Sequence, residues 1–309
     1  MSLTSLKVAI TGASGFVGRN AAAYLAQEGI DVTAVVRPAK EKMLEELGAK
    51  VKIIEDIAAE GADVVEELVD VFVGQDAVIH LTYISDYDLK NFERRNTIAN
   101  QNVINAAMRA GVKKFITNSG LGVAAFGRKK ETTNGYFRMK KRLEEDLVKA
   151  WHTTGMRYVI FRPSYIVGKD DEITPTLVQK IRSREPILVI GNGRYRIQPI
   201  FVRDVMKIYS MCLMSRDFDN QIFDLVGPKR ISYVDYIKLL GKIIQREPLV
   251  EYIPKAEAVR RKVEFGLNEN EIDVLMSDET GNEKMLQKTF DLQLTPLEKA
   301  LEKISGEIV

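Results

Sequence analysis

One cysteine in 309 residues, Cys212, leaves no partner for an internal disulfide and suits a reducing compartment. Histidine is almost as scarce: His80 and His152 alone are too few for a structural zinc site. Neither charge sign dominates. Lys plus Arg number 45 against 43 Asp plus Glu, a net charge of +2 that argues against a nucleic-acid-binding surface. Three short basic runs, Arg128-Lys129-Lys130, Lys140-Lys141-Arg142 and Arg260-Arg261-Lys262, lie beside acids and read as solvated faces. No apolar stretch approaches the roughly 20 residues that span a bilayer, and the N-terminus lacks the basic-then-apolar layout of a secretory signal. Internal repeats and low-complexity segments are missing as well. The expectation is a cytoplasmic protein with a small-molecule partner and no nucleic acid, membrane span or metal.

What the chain does have is an organising stretch near its start, Val8 to Gly18, reading VAITGASGFVG. An apolar run from Leu6 to Ile10 predicts a buried strand, and Phe16 to Gln27 predicts a helix. Between them Gly12, Gly15 and Gly18 suit three separate jobs: a tight turn, close approach of backbone to a pyrophosphate, and close packing of helix on strand. The helix N-terminus then offers free N–H groups to phosphate. A merely glycine-rich turn is the plainer reading. Its place in a strand–turn–helix unit favours a dinucleotide site.

Strands at Asp31 to Val36, Val51 to Ile54, Ala77 to Leu81, Lys114 to Thr117 and Tyr158 to Phe161 alternate with helical patterns. That alternation predicts a parallel sheet with right-handed crossovers. The fold class expected is α/β: a Rossmann-type doubly wound parallel sheet with a smaller, mainly helical C-terminal substrate lobe. The dinucleotide domain is expected to cover 1–168, with 198–227 returning to it; 169–197 and 228–309 would form the lobe. Helices are predicted at Lys255 to Phe265, Asn282 to Gln287 and Pro296 to Ile304.

At the end of the second strand an acid would read a ribose 2′-OH, but the chain has Val36 followed by Arg37. A guanidinium suits a 2′-phosphate, which points to NADP over NAD, with Arg19 as a helper; a surface arginine is the alternative. Asp56, past the third strand, either faces adenine or caps a helix. His80 reads as a packed strand residue. Asn96, Asn100 and Asn102 are unfavourable inside a helix, so something else retains them.

Tyr136 and Lys140 are four apart at the head of a predicted helix, hence on one face. An ammonium beside a phenol is expected to lower the phenol pKa toward working pH, and the tyrosine can then exchange a proton with a substrate oxygen. Ser119, at the end of the preceding strand, could hydrogen-bond the same oxygen. An ordinary amphipathic helix is the plainer reading of the pair.

Together these residues resemble the short-chain dehydrogenase/reductase superfamily, in its extended and atypical branches, over nearly the whole chain. Thr11 to Gly18 matches TGxxGxxG, Tyr136 with Lys140 matches YxxxK, and Arg162-Pro163-Ser164 to Gly168 matches RPxxxxG. Gln198-Pro199 with Val202 and Asp204 resembles the QPxxVxDV segment of the atypical group related to the 39-kDa accessory subunit of respiratory complex I. The resemblance implies Ser119 as carbonyl polariser, Tyr136 as acid/base, Lys140 as partner of tyrosine and nicotinamide ribose, and Asn96 supporting a proton-relay water. The cofactor set expected is Gly12, Ser14, Gly15, Phe16, Val17, Arg37, Asp56, Ile57, Leu81, Thr82, Tyr83, Asn100, Lys140 and Pro163. A homodimer through the helices bearing Asn96 and Tyr136 is implied too. Two departures stand out. Sugar-nucleotide epimerases place their active hydroxyl where this chain has Gly120, and their diphosphate-gripping arginine has no counterpart near Ile197. The implied function is NAD(P)-dependent hydride transfer on a small carbonyl or alcohol. The alternatives are a nucleotide-sugar epimerase or dehydratase, and a non-catalytic NADP(H)-binding structural or redox-sensing protein.

Overall fold

A buried apolar segment that ends at a left-handed glycine sets the course of the chain. The structure, a computed structural model, describes residues 6–126 and 133–308, so the Arg128-Lys129-Lys130 run lies outside the described residues. The first half alternates: β1 (Lys7–Thr11), α1 (Phe16–Gln27), β2 (Asp31–Val36), α2 (Glu41–Glu45), β3 (Lys50–Ile53), α3 (Asp63–Phe72) and β4 (Ala77–His80). It continues through α4 (Leu89–Arg109), β5 (Lys114–Asn118), α5 (Gly122–Phe126), α6 (Gly135–Thr154) and β6 (Arg157–Pro163). With Gln221–Leu225 these strands make a seven-stranded sheet in the order β3-β2-β1-β4-β5-β6 and then Gln221–Leu225. Every neighbouring pair is parallel. The doubly wound Rossmann-type architecture is therefore as expected, with the order reversing between β1 and β4.

Both sheet faces are covered, which is why the central strands read as unbroken apolar runs. Val8, Ile10, Leu25, Val205 and Tyr209 join one cluster under α1 and the Val202–Met214 helix. Ala9, Phe72, Val78, Val103, Phe115 and Leu147 join another under α3, α4 and α6. Beyond β6 the chain builds short pairings: Ile187–Ile190 lies parallel to Val250–Ile253, and Arg196–Ile197 antiparallel to Ile231–Ser232. Among the described residues no helix is long and apolar enough to cross a membrane.

Two helical expectations need correction. Lys255 to Phe265 is not one helix but two, Lys255–Arg260 and Lys262–Phe265, broken at Arg261 and stopped by Gly266 at φ 65. The helix Glu269–Leu275 was not anticipated, although its capping box, Asn268 with Glu271, is written in the sequence. The asparagines singled out in α4 explain themselves, because Asn96 and Asn102 each hold a loop and Asn100 holds a strand. Asn96 bonds both the N–H (3.0 Å) and the C=O (2.8 Å) of Ile84. Asn102 donates to Ile57 O and Ala59 O, both at 3.0 Å.

Asn100 accepts from His80, whose other ring nitrogen takes the Thr11 hydroxyl at 2.6 Å. This buried chain stitches β1, β4 and α4 together beneath the switch point. With Nε2 donating to Asn100 and Nδ1 accepting from Thr11, the ring is neutral. Burial, reinforced by Lys140 and only partly offset by the Asn100 bond, lowers its pKa from 6.5 to about 4.

Gly18 shows how tight the first unit is: a Cβ there would lie 2.1 Å from Gly12 O. Gly18→Ala should cost about 3 kcal/mol of stability or more. Gly306→Ala, in an open helical position, should be neutral or stabilise by up to about 1 kcal/mol. Urea unfolding of the two variants checks the pair. For His80, the unfolded chain takes up a proton between pH 6.5 and about 4 that the native state refuses, so stability falls as pH drops through that window. Glu279, raised from 4.5 to about 7, works in the opposite sense, so the contrast with a variant is what isolates the histidine. His80→Gln should remove up to about 3 kcal/mol of acid-dependent destabilisation, read from urea midpoints across that window.

Candidate active site

The turn after β1 and the end of β4 meet at the point where strand order reverses. Gly12 has φ +71, and a Cβ on it would strike Leu81 C at 2.6 Å and Thr82 N at 2.7 Å. Leu81 N donates to Thr11 O at 3.0 Å, locking the two strand ends together. Gly15 caps α1 without a side-chain bond, and the first turn of α1 carries no acid. Free N–H groups and positive dipole therefore face the cradle. Thr82 Oγ1 is buried there without a hydrogen-bond partner. Ser14, Gly15, Phe16 and Val17, expected at a dinucleotide pyrophosphate, border this cradle. Phe16 is fixed by Gly168, where a Cβ would come within 2.7 Å of its ring, so the last residue of RPxxxxG closes on the first helix.

The adenosine-side residues are more scattered. Arg37 is exposed just past β2. Arg19, expected to help it, instead donates to Asp170 O at 2.9 Å. Asp56 caps no helix, since α3 starts after Ala62. Its carboxylate accepts from Ala58 N at 3.0 Å and pairs with Arg95 at 2.8 Å. Ile57 is tied down through its carbonyl by Asn102, and Asn100 is committed to His80. Pro163 ends β6 opposite Leu225.

The chemical centre forms where β5 and α6 approach. Asn134 caps α6 by accepting from Tyr136 N at 3.0 Å, which puts Tyr136 in the first turn. One turn on, Lys140 Nζ donates to Asn118 O at 2.9 Å. Its ammonium lies 5.9 Å from the Tyr136 ring centroid and 5.8 Å from that of Tyr83. A further turn on, Glu144 takes a two-pronged bond from Arg162, at 2.9 and 2.6 Å. The arginine of RPxxxxG thus clamps α6 to β6. Ser119 is 2% exposed and its hydroxyl has no partner, one residue before the Gly120 that packs against the tyrosine. Tyr83 packs edge-on to Tyr136 and donates to Glu271 at 2.5 Å.

The electrostatics correct one expectation. Tyr136 is not lowered: burial first, then the carboxylates of Glu279 and Glu271, push its phenol above the usual range. Burial also lowers Lys140 to about 8 despite the nearby Glu144. The pair is a held proton donor rather than a standing phenolate. Asn96 is also more structural than anticipated, since both its amide protons go to backbone carbonyls. Gly120 explains the epimerase departure. A Cβ there would sit 3.1 Å from the Tyr136 hydroxyl, so the phenol itself fills the space beside it.

Sequence reading missed Glu279 and Glu271, which sit in the polar C-terminal third with no motif to mark them. Gln198 and Asp204 prove to be clasps. Gln198 bonds Gly227 O (2.9 Å) and Gly281 N (3.0 Å), and Asp204 accepts from Thr295 N (2.7 Å). A cavity of about 880 Å³ between Gly191, Arg194, Arg230 and Tyr252 shares no lining residue with the Tyr136–Lys140 centre.

The family model "NAD dependent epimerase/dehydratase family" matches residues 8–225. Among curated proteins, the mitochondrial NADH dehydrogenase [ubiquinone] 1 alpha subcomplex subunit 9 of Arabidopsis thaliana is 24% identical, the match covering 96% of this chain and 75% of that one. The 4-hydroxy-2-methyl-3-oxo-4-farnesyl-3,4-dihydroquinoline-1-oxide ketoreductase of Stigmatella aurantiaca is 28% identical over 65% of this chain and 62% of its own length. Among solved structures, the UDP-glucuronic acid 4-epimerase of Bacillus cereus, in complex with UDP-glucuronic acid and NAD, superposes with a TM-score of 0.75 at 17% identity. That superposition covers 98% of this chain and 99% of the other, which shows a shared fold. Glycine cradle, parallel sheet and family match agree, and the chain belongs to the NAD dependent epimerase/dehydratase family, as an NAD-dependent oxidoreductase or epimerase.

Proposed function

We propose that this chain is an NADP(H)-dependent reductase of small carbonyl compounds, working in the reductive direction through Tyr136. The observation that carries the reading is the protonated phenol of Tyr136, with the Lys140 ammonium 5.9 Å from its ring, Gly120 against its hydroxyl and the unpartnered Ser119 hydroxyl one residue before that glycine. A nicotinamide cofactor with its pyrophosphate in the Gly12 cradle would supply the hydride. The Ser119 hydroxyl polarises the substrate carbonyl, and Tyr136 Oη delivers its proton to the oxygen as negative charge develops there. Lys140, anchored on Asn118 O, holds the ribose side and stabilises the phenolate left behind. Burial and the two carboxylates keep that phenol protonated, the form from which carbonyl reduction starts. The lobe made from 169–197 and 228–309 would close over this centre, leaving 198–227 with the sheet.

Arg37, exposed past β2, is the 2′-phosphate ligand in this reading, without help from Arg19. The helices that would form a homodimer, α4 and α6, already spend outward charge on each other, Arg138 pairing with Glu93. Cys212, buried and with its thiol pushed up, suits a cytoplasmic setting.

Tyr136→Phe should lower carbonyl-dependent NADPH consumption by about 100-fold or more while calorimetry shows NADPH binding unchanged. Undiminished turnover removes Tyr136 from the role. Parent protein should bind NADPH more tightly than NADH, and Arg37→Ala should cut that preference about tenfold. Equal affinities in the parent would refute the arginine assignment.

A further inference from the structure

The cavity of about 880 Å³ beside the Tyr233–Ile244 helix takes no part in the centre described above. Four of its lining side chains are cationic, Arg194, Arg196, Arg230 and Lys238, against one acid, Asp235. Its frame is held by backbone. Arg196–Ile197 pairs antiparallel with Ile231–Ser232, Tyr233 N donates to Tyr195 O at 3.1 Å, and Val234 N donates to Gly193 O at 3.0 Å. Asp235 N donates to Ser232 Oγ at 3.2 Å, so the first N–H groups of the helix are spent. An anion here would be read by side chains, not by a helix end. Gly193 has φ +64, and a Cβ on it would lie 2.7 Å from Val189 Cγ1, which fixes the turn that carries Arg194. Asn192 Oδ1 accepts from Arg194 N at 2.9 Å in the same turn.

The cations in this frame differ in how they are committed. Arg196 donates to Asp278 through Nε at 3.0 Å and Nη2 at 2.5 Å. Arg230 donates through Nη2 to Gly281 O at 2.7 Å, with Glu283 3.7 Å away. Neither of those acids lines the cavity. A guanidinium carries five N–H donors, so both groups are anchored and still keep donors to offer. Lys238 has only Asp235, at 3.8 Å, whose other oxygen accepts from the Ser232 hydroxyl. The Arg194 guanidinium has neither an ion pair nor a hydrogen bond among the described residues. Tyr252, 55% exposed, adds an open ring to the wall.

We propose that this cavity is a second ligand site, for a small molecule bearing a diphosphate, gripped by Arg194 with Arg196 and Arg230 as anchored partners. Guanidinium forks match phosphoryl oxygens two at a time, and three forks around one space suit two phosphates better than a carboxylate. The volume falls within the roughly 300–1,000 Å³ of small-molecule sites. No residue of the Gly12 cradle or of the Tyr136 centre lines it, so the site stands apart from the reading of either.

The test titrates inorganic pyrophosphate calorimetrically into the parent protein and into Arg194→Ala, an exposed position whose substitution leaves the core alone. Arg194→Ala should bind pyrophosphate at least about tenfold more weakly and NADPH with unchanged affinity. Arg194→Lys, which keeps the charge and loses the fork, should stay at least about threefold weaker than the parent. Citrate, an anion of similar charge at matched ionic strength, should bind the parent at least about tenfold more weakly than pyrophosphate. The proposal is overturned if parent and Arg194→Ala bind pyrophosphate alike, if citrate matches pyrophosphate, if Arg194→Lys matches the parent, or if NADPH affinity falls with that of pyrophosphate. ADP in the same protocol separates the two sources of such a group. A loss for ADP alone in Tyr252→Ala assigns a nucleotide with its base on that ring, and equal affinities unmoved by Tyr252→Ala assign a free diphosphate compound.

Discussion

The contact on which the rest depends is between two pieces of backbone, not two side chains. Helix α1 leans so close to the turn after β1 that a single methyl on Gly18 would sit 2.1 Å from Gly12 O. Gly12 in turn lies against Leu81 and Thr82 at the end of β4. The turn after β1, the start of α1 and the end of β4, far away in sequence, therefore share one small volume. A side chain at either glycine would push α1 off the sheet and open the cradle. The neutral His80, bonded to Thr11 and Asn100 just below, keeps the strand ends level.

The second layer of organisation is carried by polar groups that act as ties. Asn96, Asn102 and Asn134 each hold a loop or a helix start. Arg162 and Glu144 lock α6 to β6, which sets where Tyr136 and Lys140 can stand. Gln198 and Asp204 secure the C-terminal segment to the sheet side. Buried polar groups of this kind fix a unique geometry because each unsatisfied atom would be costly. The hydroxyls left open, on Ser119, Thr82 and Tyr165, are correspondingly informative.

The protonation of the centre follows from the same packing. Lys140 alone would favour a phenolate, as the helix spacing implied. Burial, with the carboxylates of Glu279 and Glu271, raises the Tyr136 phenol instead. A charge balance assembled from residues more than a hundred positions apart cannot be read from a four-residue motif.

Much of the architecture was nevertheless legible. The α1 range and those of β2 and Tyr233–Ile244 follow from local periodicity alone, because a helix or strand buried on one face repeats its apolar residues at a fixed interval. The glycine turn was equally plain, since only glycine tolerates its backbone and its crowding. The Lys255–Phe265 region was not, because two short helices and one longer one carry similar apolar spacing. Glu279 was invisible for a different reason: what a buried acid faces is decided by folding. Local sequence, in short-range steric and hydrophobic terms, determined the elements, the cradle and the Tyr136–Lys140 face. Tertiary structure decided which acids face the phenol and which asparagines serve as ties, because those depend on long-range contacts that bring separate segments within a few ångström.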